Sequence, residues 1–212
     1  MSKKKNQKES DKDDISFKII TMGNSGVGKS SIIKRFISNK FEEKTISTIG
    51  FGTFNKEIEI KGTKIKLNII DTAGQENYKS LSISYIKNAD GVLFVFAFDD
   101  KKSFDEITGW IDSFTENTKL DFKEKLPAIL VGNKCDLPLE IDADEIEKLK
   151  KEKNFFGYTK TSAKNGDNIE QLFHSMGEMF IQLYGKKKNK QNVKLAARQR
   201  KRRNCGACSP DV

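Results

Sequence analysis

The run Gly23-Asn-Ser-Gly-Val-Gly28-Lys29-Ser30 constrains this chain more than any other feature. It has the spacing G-x-x-x-x-G-K-[ST]. Upstream, Ile15-Ser-Phe-Lys-Ile-Ile reads as a strand, and downstream Ile32, Ile33, Phe36 and Ile37 share one face of a helix. A glycine loop between a strand and a helix can curl its backbone N–H groups around a phosphate, with the positive end of the helix dipole behind them. Ser25, Gly26, Val27, Gly28, Lys29, Ser30 and Ser31 are therefore the expected phosphate contacts. Lys29 is expected to bridge β- and γ-phosphate oxygens as a catalytic group, and the Ser30 hydroxyl to ligate Mg²⁺. This motif alone does not separate adenine from guanine nucleotides.

The base is chosen further along. Asn133-Lys134-Cys135-Asp136 follows the apolar run Ala128-Ile-Leu-Val131. Guanine presents N1–H and an exocyclic amine side by side, and one carboxylate, Asp136, can accept both. Adenine offers no such pair, so the same carboxylate would be left unpaired against it. Asn133 can contact the purine and tie its loop to the phosphate loop. The stem of Lys134 can cover one face of the base and Phe41 the other. Thr161-Ser162-Ala163-Lys164 follows the strand-like Phe155-Phe-Gly-Tyr158 and can offer the Ala163 N–H to the guanine carbonyl. Asp71-Thr-Ala-Gly74-Gln75 ends another strand. There Asp71 is expected to hold Mg²⁺, the Gly74 N–H to meet the γ-phosphate, and the catalytic Gln75 to orient an attacking water. Thr48 would add a second hydroxyl to Mg²⁺ when the γ-phosphate is present.

Between these motifs, strand and helix patterns alternate, which predicts an α/β domain with a mainly parallel sheet. Ile58 to Ile60 and Ile65 to Ile69 alternate as two strands joined by a turn at 61–63. Val92 to Phe98 is the longest apolar run, suited to a central strand and far short of the roughly 20 residues of a membrane span. Phe104, Ile107, Trp110, Ile111 and Phe114 form a helical stripe behind Ser103, the expected N-cap. Ile169, Leu172, Phe173, Met176, Met179, Phe180 and Leu183 form a second stripe. All of these large side chains read as core. The lone histidine, His174, lies off that stripe and has no expected role. Residues 1–14 read as disordered, 15–184 as the nucleotide-binding domain, and 185–212 as a basic flexible tail.

Residues 15–184 resemble a Ras-superfamily small GTPase. Ile46-Ser-Thr-Ile-Gly, Asp71-Thr-Ala-Gly-Gln-Glu, Val131-Gly-Asn-Lys-Cys-Asp and Thr161-Ser-Ala-Lys are most similar to the Rab branch, and Ser25 and Gly26 agree with it. The resemblance implies a P-loop NTPase three-layer sandwich, with a six-stranded, mostly parallel sheet and about five helices. It implies two mobile segments near 41–50 and 73–87 and slow hydrolysis of GTP to GDP. It also implies an exchange factor, a GTPase-activating protein and effectors as partners of a monomer. An intracellular trafficking role on the cytosolic face of a membrane follows from the same likeness. The chain departs from the Rab pattern at Ile70, where Rab proteins carry a Trp, and at Phe51-Gly52-Thr53, which replaces Val-Asp-Phe. Tyr85 is kept, so two of three surface aromatics are altered.

The net charge of +9 is carried by the tail: from Gly185 to Val212 there are ten Lys or Arg and one acid, Asp211. This basic run precedes Cys205-Gly-Ala-Cys208-Ser-Pro-Asp-Val212. Lipid on Cys205 or Cys208 plus attraction to anionic headgroups would make a two-signal membrane anchor. Ser209 stands where a C-terminal C-a-a-X box needs its cysteine. A zinc half-site or redox pair is the minor alternative for Cys-x-x-Cys. Three cysteines make no disulfide framework, and the N-terminus has no apolar stretch of a secretory signal. The rival readings are a nuclear or nucleic-acid-binding protein worked by its tail, and a GTP-binding scaffold that never hydrolyses. Missing interleaved aromatics argue against nucleic acid, which is not an expected partner.

Overall fold

The computed structural model describes residues 15–43, 48, 50–72, 86–118, 126–138 and 140–183. Six strands form one sheet: β1 (Ile15–Met22), β2 (Phe51–Ile60), β3 (Thr63–Thr72), β4 (Gly91–Ala97), β5 (Leu126–Asn133) and β6 (Phe155–Lys160), in the order β2-β3-β1-β4-β5-β6. Among the pairings of these six strands, only the β2–β3 hairpin is antiparallel. Helices α1 (Lys29–Ser38), α2 (Lys101–Asp105), α3 (Ile107–Asn117), α4 (Ala143–Glu152) and α5 (169–183) flank it. The expected α/β sandwich with a six-stranded, mostly parallel sheet is the fold observed.

The period of two along each central strand builds the three layers. Ile19, Leu93, Val95, Ile129 and Val131 turn one way, onto Ile32 and Phe36 of α1 and Phe173, Met176 and Phe180 of α5. Ile20, Val92, Phe94, Phe96, Ala128 and Leu130 turn the other way, onto Ile107, Trp110 and Phe114 of α3 and Ile146 and Leu149 of α4. Every residue of β4 is buried, as its unbroken apolar run predicts for a strand covered on both faces. Each large side chain so buried contributes about 1.5–3 kcal/mol. His174 is exposed on α5.

Three expectations need correction. Ser103 is not an N-cap. Asp100 caps α2, its Oδ1 accepting from the Ser103 N–H at 3.2 Å. The Ser103 hydroxyl is buried, accepting from the Ala97 N–H and donating to the Asp100 carbonyl. The stripe from Phe104 to Phe114 also spans two helices, because a turn at Glu106 interrupts the helix. β2 begins at Phe51, well before the alternation at Ile58 that signals it. Its first half pairs with β3 but buries little, so hydrophobic spacing could not mark it. In the hairpin Thr53 is the register partner of Ile70. Thr53 is exposed and Ile70 is buried, so a small hydroxyl lies against an aliphatic side chain where the Rab pattern has two aromatics.

Candidate functional site

The phosphate loop turns sharply from β1 into α1. A Cβ on Gly23 would stand 2.0 Å from the Val95 carbonyl oxygen, and one on Gly28 would stand 2.2 Å from Asn133 Nδ2. Gly28 also sits at φ 95°, a left-handed conformation that glycine adopts at least cost. No side chain caps α1 and its first turn has no acid. By contrast, α4 has Asp142 as its cap and Asp144 and Glu145 in its first turn. The N–H groups that open α1 are thus kept for an anion from outside the helix.

Lys29 is 5% exposed. Its ammonium donates to the carbonyls of Gly23 at 2.8 Å and Asn24 at 2.7 Å. Burial pulls its pKa down to about 8, against the attraction of Asp71. Beside it three oxygens converge. Ser30 Oγ donates to Asp71 Oδ2 at 2.6 Å and lies 2.7 Å from Thr48 Oγ1. Asp71 Oδ1 is buried with no hydrogen-bond partner among the described residues, and burial raises the pKa of this carboxyl. Hard oxygen donors around an orphaned carboxylate oxygen fit Mg²⁺, which takes one or two protein oxygens and completes its shell with phosphate and water. Ser30, Thr48 and Asp71 would hold it.

The far end of the site is a lattice of side chains. Asn133 Nδ2 donates to the Val27 carbonyl at 2.8 Å, which joins the two loops as expected. Asn133 Oδ1 accepts from Thr161 Oγ1 and from the Ala163 N–H, both at 3.2 Å. The N–H expected to face the purine therefore points at Asn133, and a ligand would have to share it. Ser162 Oγ, fully buried, donates to Asp136 Oδ1 at 2.5 Å. Lys134, at φ 61°, places its ammonium 3.1 Å from Asp99 Oδ2.

One cleft of about 430 Å³ connects the two ends. It is lined by Ser25, Gly26, Gly28, Lys29, Ser30, Ser31, Phe41, Thr48, Asn133, Lys134, Asp136, Ala163 and Lys164. Of the predicted contacts among the described residues, Val27, Asp71 and Ser162 do not line it; Asp71 meets it through Ser30. Val27 is buried in the core, and Ser162 acts from behind through Asp136. Gly74, Gln75, Tyr85, Cys205 and Cys208 lie outside the described residues, as do the two terminal segments and most of the two segments expected to be mobile.

Several participants escape sequence reasoning. Glu42, Glu43, Thr72 and Leu137 also line the cleft. Arg35 reaches from α1 to the carbonyls of Ala163 and Lys164, bracing the loop at the base end, and stacks 5.9 Å from the centroid of Phe41. A basic residue in the last turn of a helix is its only signal, and that usually means a dipole contact. Cys135 is half-buried, and burial raises its thiol pKa, so the thiol stays protonated.

A cleft across the carboxyl edge of a parallel sheet, opened by a glycine loop with a lysine at the start of the next helix, defines a P-loop nucleotide-binding protein. The sequence model of the Ras family matches residues 18–182. The chain is 34% identical over 198 residues to "Ras-related protein Rab-13" of Bos taurus, covering 91% of this chain and 95% of that one. It is 35% identical over 158 residues to "Ras-related protein Rab-9A" of Rattus norvegicus (74% and 79%), and 33% identical over 207 residues to "Ras-related protein Rab-8B" of Homo sapiens (92% and 97%). This chain belongs to the Ras family. It is a Rab-like small GTPase, a switch that binds GTP and hydrolyses it to GDP.

Proposed function

We propose that this GTPase controls an intracellular membrane-traffic step, and that its nucleotide lies in the described cleft with the phosphates on residues 25–31 and guanine at Asp136. The observation that carries the placement is the continuity of the cleft, from Ser30, which is bonded to Asp71, and Thr48 to the Ser162-backed Asp136. Lys29 neutralises β- and γ-phosphate oxygens from within a buried position, where its charge acts at low dielectric. Bound Mg²⁺ would offset further phosphate charge. Ser30 and Asp71 would hold that ion in either nucleotide state, and Thr48 would join them only with GTP. Gln75 orients the attacking water. Loss of the γ-phosphate removes the contacts to Thr48 and Gly74, and a partner that reads this surface senses the change. Regulators and effectors act on it as on Ras-family switches generally. The small, aliphatic pair at Thr53 and Ile70 selects effectors unlike those that read aromatics there. The domain spans residues 15–184, and the basic tail with lipid on Cys205 or Cys208 brings it to the cytosolic face of a membrane.

Single-turnover phosphate release from protein loaded with GTP and Mg²⁺ tests the placement. Slow release that Gln75→Leu abolishes, with binding intact, supports it. A preference for ATP, or no nucleotide held when Mg²⁺ is supplied, overturns it.

A further inference from the structure

Trp110 is the only tryptophan of the chain. Its ring belongs to the core between α3 and the sheet. Its indole N–H, however, leaves that core and donates to Asn24 Oδ1 at 2.8 Å. The amide of the same Asn24 donates from Nδ2 to Glu106 Oε2 at 2.8 Å. Glu106 sits where α2 stops and α3 starts, and its carboxylate, whose Oε1 lies 3.6 Å from the Lys102 ammonium, reaches the phosphate loop at Asn24 through Oε2. Both ends of the Asn24 side chain are therefore tied to one helix junction, more than 80 residues away in sequence.

The backbone of Asn24 has its own task. Its carbonyl is one of the two that hold the Lys29 ammonium, the other being Gly23. Gly23 is pressed against β4, so its carbonyl is fixed by the sheet. Asn24 lies beyond the strand, and without an outside anchor its peptide would be free to turn. A lysine has four rotatable bonds and a point charge, so its position is only as well defined as the acceptors that hold it.

We propose that Asn24, Glu106 and Trp110 are positioning residues, in which the junction of α2 and α3 fixes the Asn24 amide, the Asn24 carbonyl fixes Lys29, and Lys29 is thereby preset for the β- and γ-phosphates. The inference rests on the reading that nucleotide binds at Lys29. A buried indole N–H commonly finds some acceptor. What marks this one is that its acceptor is the residue whose carbonyl carries the phosphate lysine, and that a charged second partner locks the same amide.

The test is the release rate of a fluorescent guanine nucleotide with Mg²⁺ from four proteins: wild type, Asn24→Asp, Glu106→Gln and the double variant. The carboxylate introduced by Asn24→Asp repels that of Glu106, and the amide introduced by Glu106→Gln gives it a donor again. Asn24→Asp is expected to speed release by about threefold to tenfold, the range of one hydrogen bond. In the double variant that increase should shrink by about threefold or more, beyond what the single variants predict. Additive effects, or release from Asn24→Asp at the wild-type rate, overturn the inference. Trp110→Phe keeps an aromatic ring and removes the N–H. It should speed release with thermal midpoints of the nucleotide-free protein within a few degrees of wild type, and an unchanged rate counts against the inference. If Trp110→Phe does not fold, the double-mutant cycle decides. Wild-type protein that holds no nucleotide sinks the underlying placement instead, so the two failures are distinct.

Discussion

The two ends of the cleft are built on opposite principles. At the base end most polar groups satisfy one another, Asp99 Oδ1 excepted: Asn133 is bonded at both ends of its amide, Ser162 supports Asp136, and Arg35 braces the loop behind. At the phosphate end they do not. Lys29 is buried on two carbonyls with a depressed pKa, Asp71 Oδ1 has no partner among the described residues, and the first turn of α1 has no side-chain cap. One end is shaped before the ligand arrives, and the other is electrostatically complete only with phosphate and a cation in place. A preformed end suits discrimination, because a wrong base meets fixed groups that cannot rearrange. An unfinished end suits strength and switching, because binding relieves stress that already exists in the free protein.

If this division holds, the largest effect belongs to the base end. Asp136→Asn should erase most of the preference for guanine over adenine, on the order of 10⁴-fold, since a site built to accept hydrogen bonds rejects ligands that leave it unpaired. Competition between GTP and ATP for the loaded protein measures it. A variant that keeps the full preference would move the base elsewhere.

The next effect belongs to the phosphate end and has a sign set by burial. Lys29 titrates near pH 8 in the free protein, below its ordinary 10.5. Phosphate favours the charged form and raises that value, so binding takes up a proton above pH 8. GTP affinity should be level up to about pH 8 and then fall by up to about tenfold per pH unit. The stability of the nucleotide-free protein runs the other way. The folded state releases this proton first, so the cost of burying the charge is complete below about pH 8 and fades as pH rises toward 10.5. Titration of affinity between about pH 7 and 9, with Asp136→Asn as a control for changes in the base, checks the claim. An affinity independent of pH would mean that Lys29 is charged throughout.

The same division explains what spacing can reveal. The phosphate loop, the Asn133–Asp136 run and the stripe of α5 are legible in the sequence because each depends on local spacing: a turn that demands glycine, a carboxylate three residues after an asparagine, a period near 3.6. Contacts between distant segments are not. Trp110 obeys the core stripe, and nothing in periodicity reveals which way the polar edge of an indole points. Arg35 and Asp99 sit in ordinary positions and acquire meaning only when the fold brings them to the loops at 163 and 134. The early part of β2 escapes the pattern because its inward positions at Gly52, Phe54 and Lys56 are half-buried and only one carries a large apolar side chain.

Asp99 supplies the smallest predicted effect and a direct probe of how rigid the base end is. Its Oδ2 accepts from the Lys134 ammonium at 3.1 Å, while Oδ1 is buried with no partner among the described residues. Both side chains are about one-third exposed, so solvent screens the pair and its net worth is small. The pair matters for direction: it holds the head of Lys134 on Asp99, which does not line the cleft. Asp99→Asn keeps the shape and an acceptor but removes the charge. GDP release should rise by about twofold to fivefold, corresponding to less than about 1 kcal/mol, while the guanine preference proposed for Asp136 should stay intact. Stopped-flow release of a fluorescent GDP, paired with the GTP–ATP competition, separates the two. A drop in preference would show that Lys134 and Asp136 act as one unit, and that the base end is less rigid than its hydrogen bonds imply.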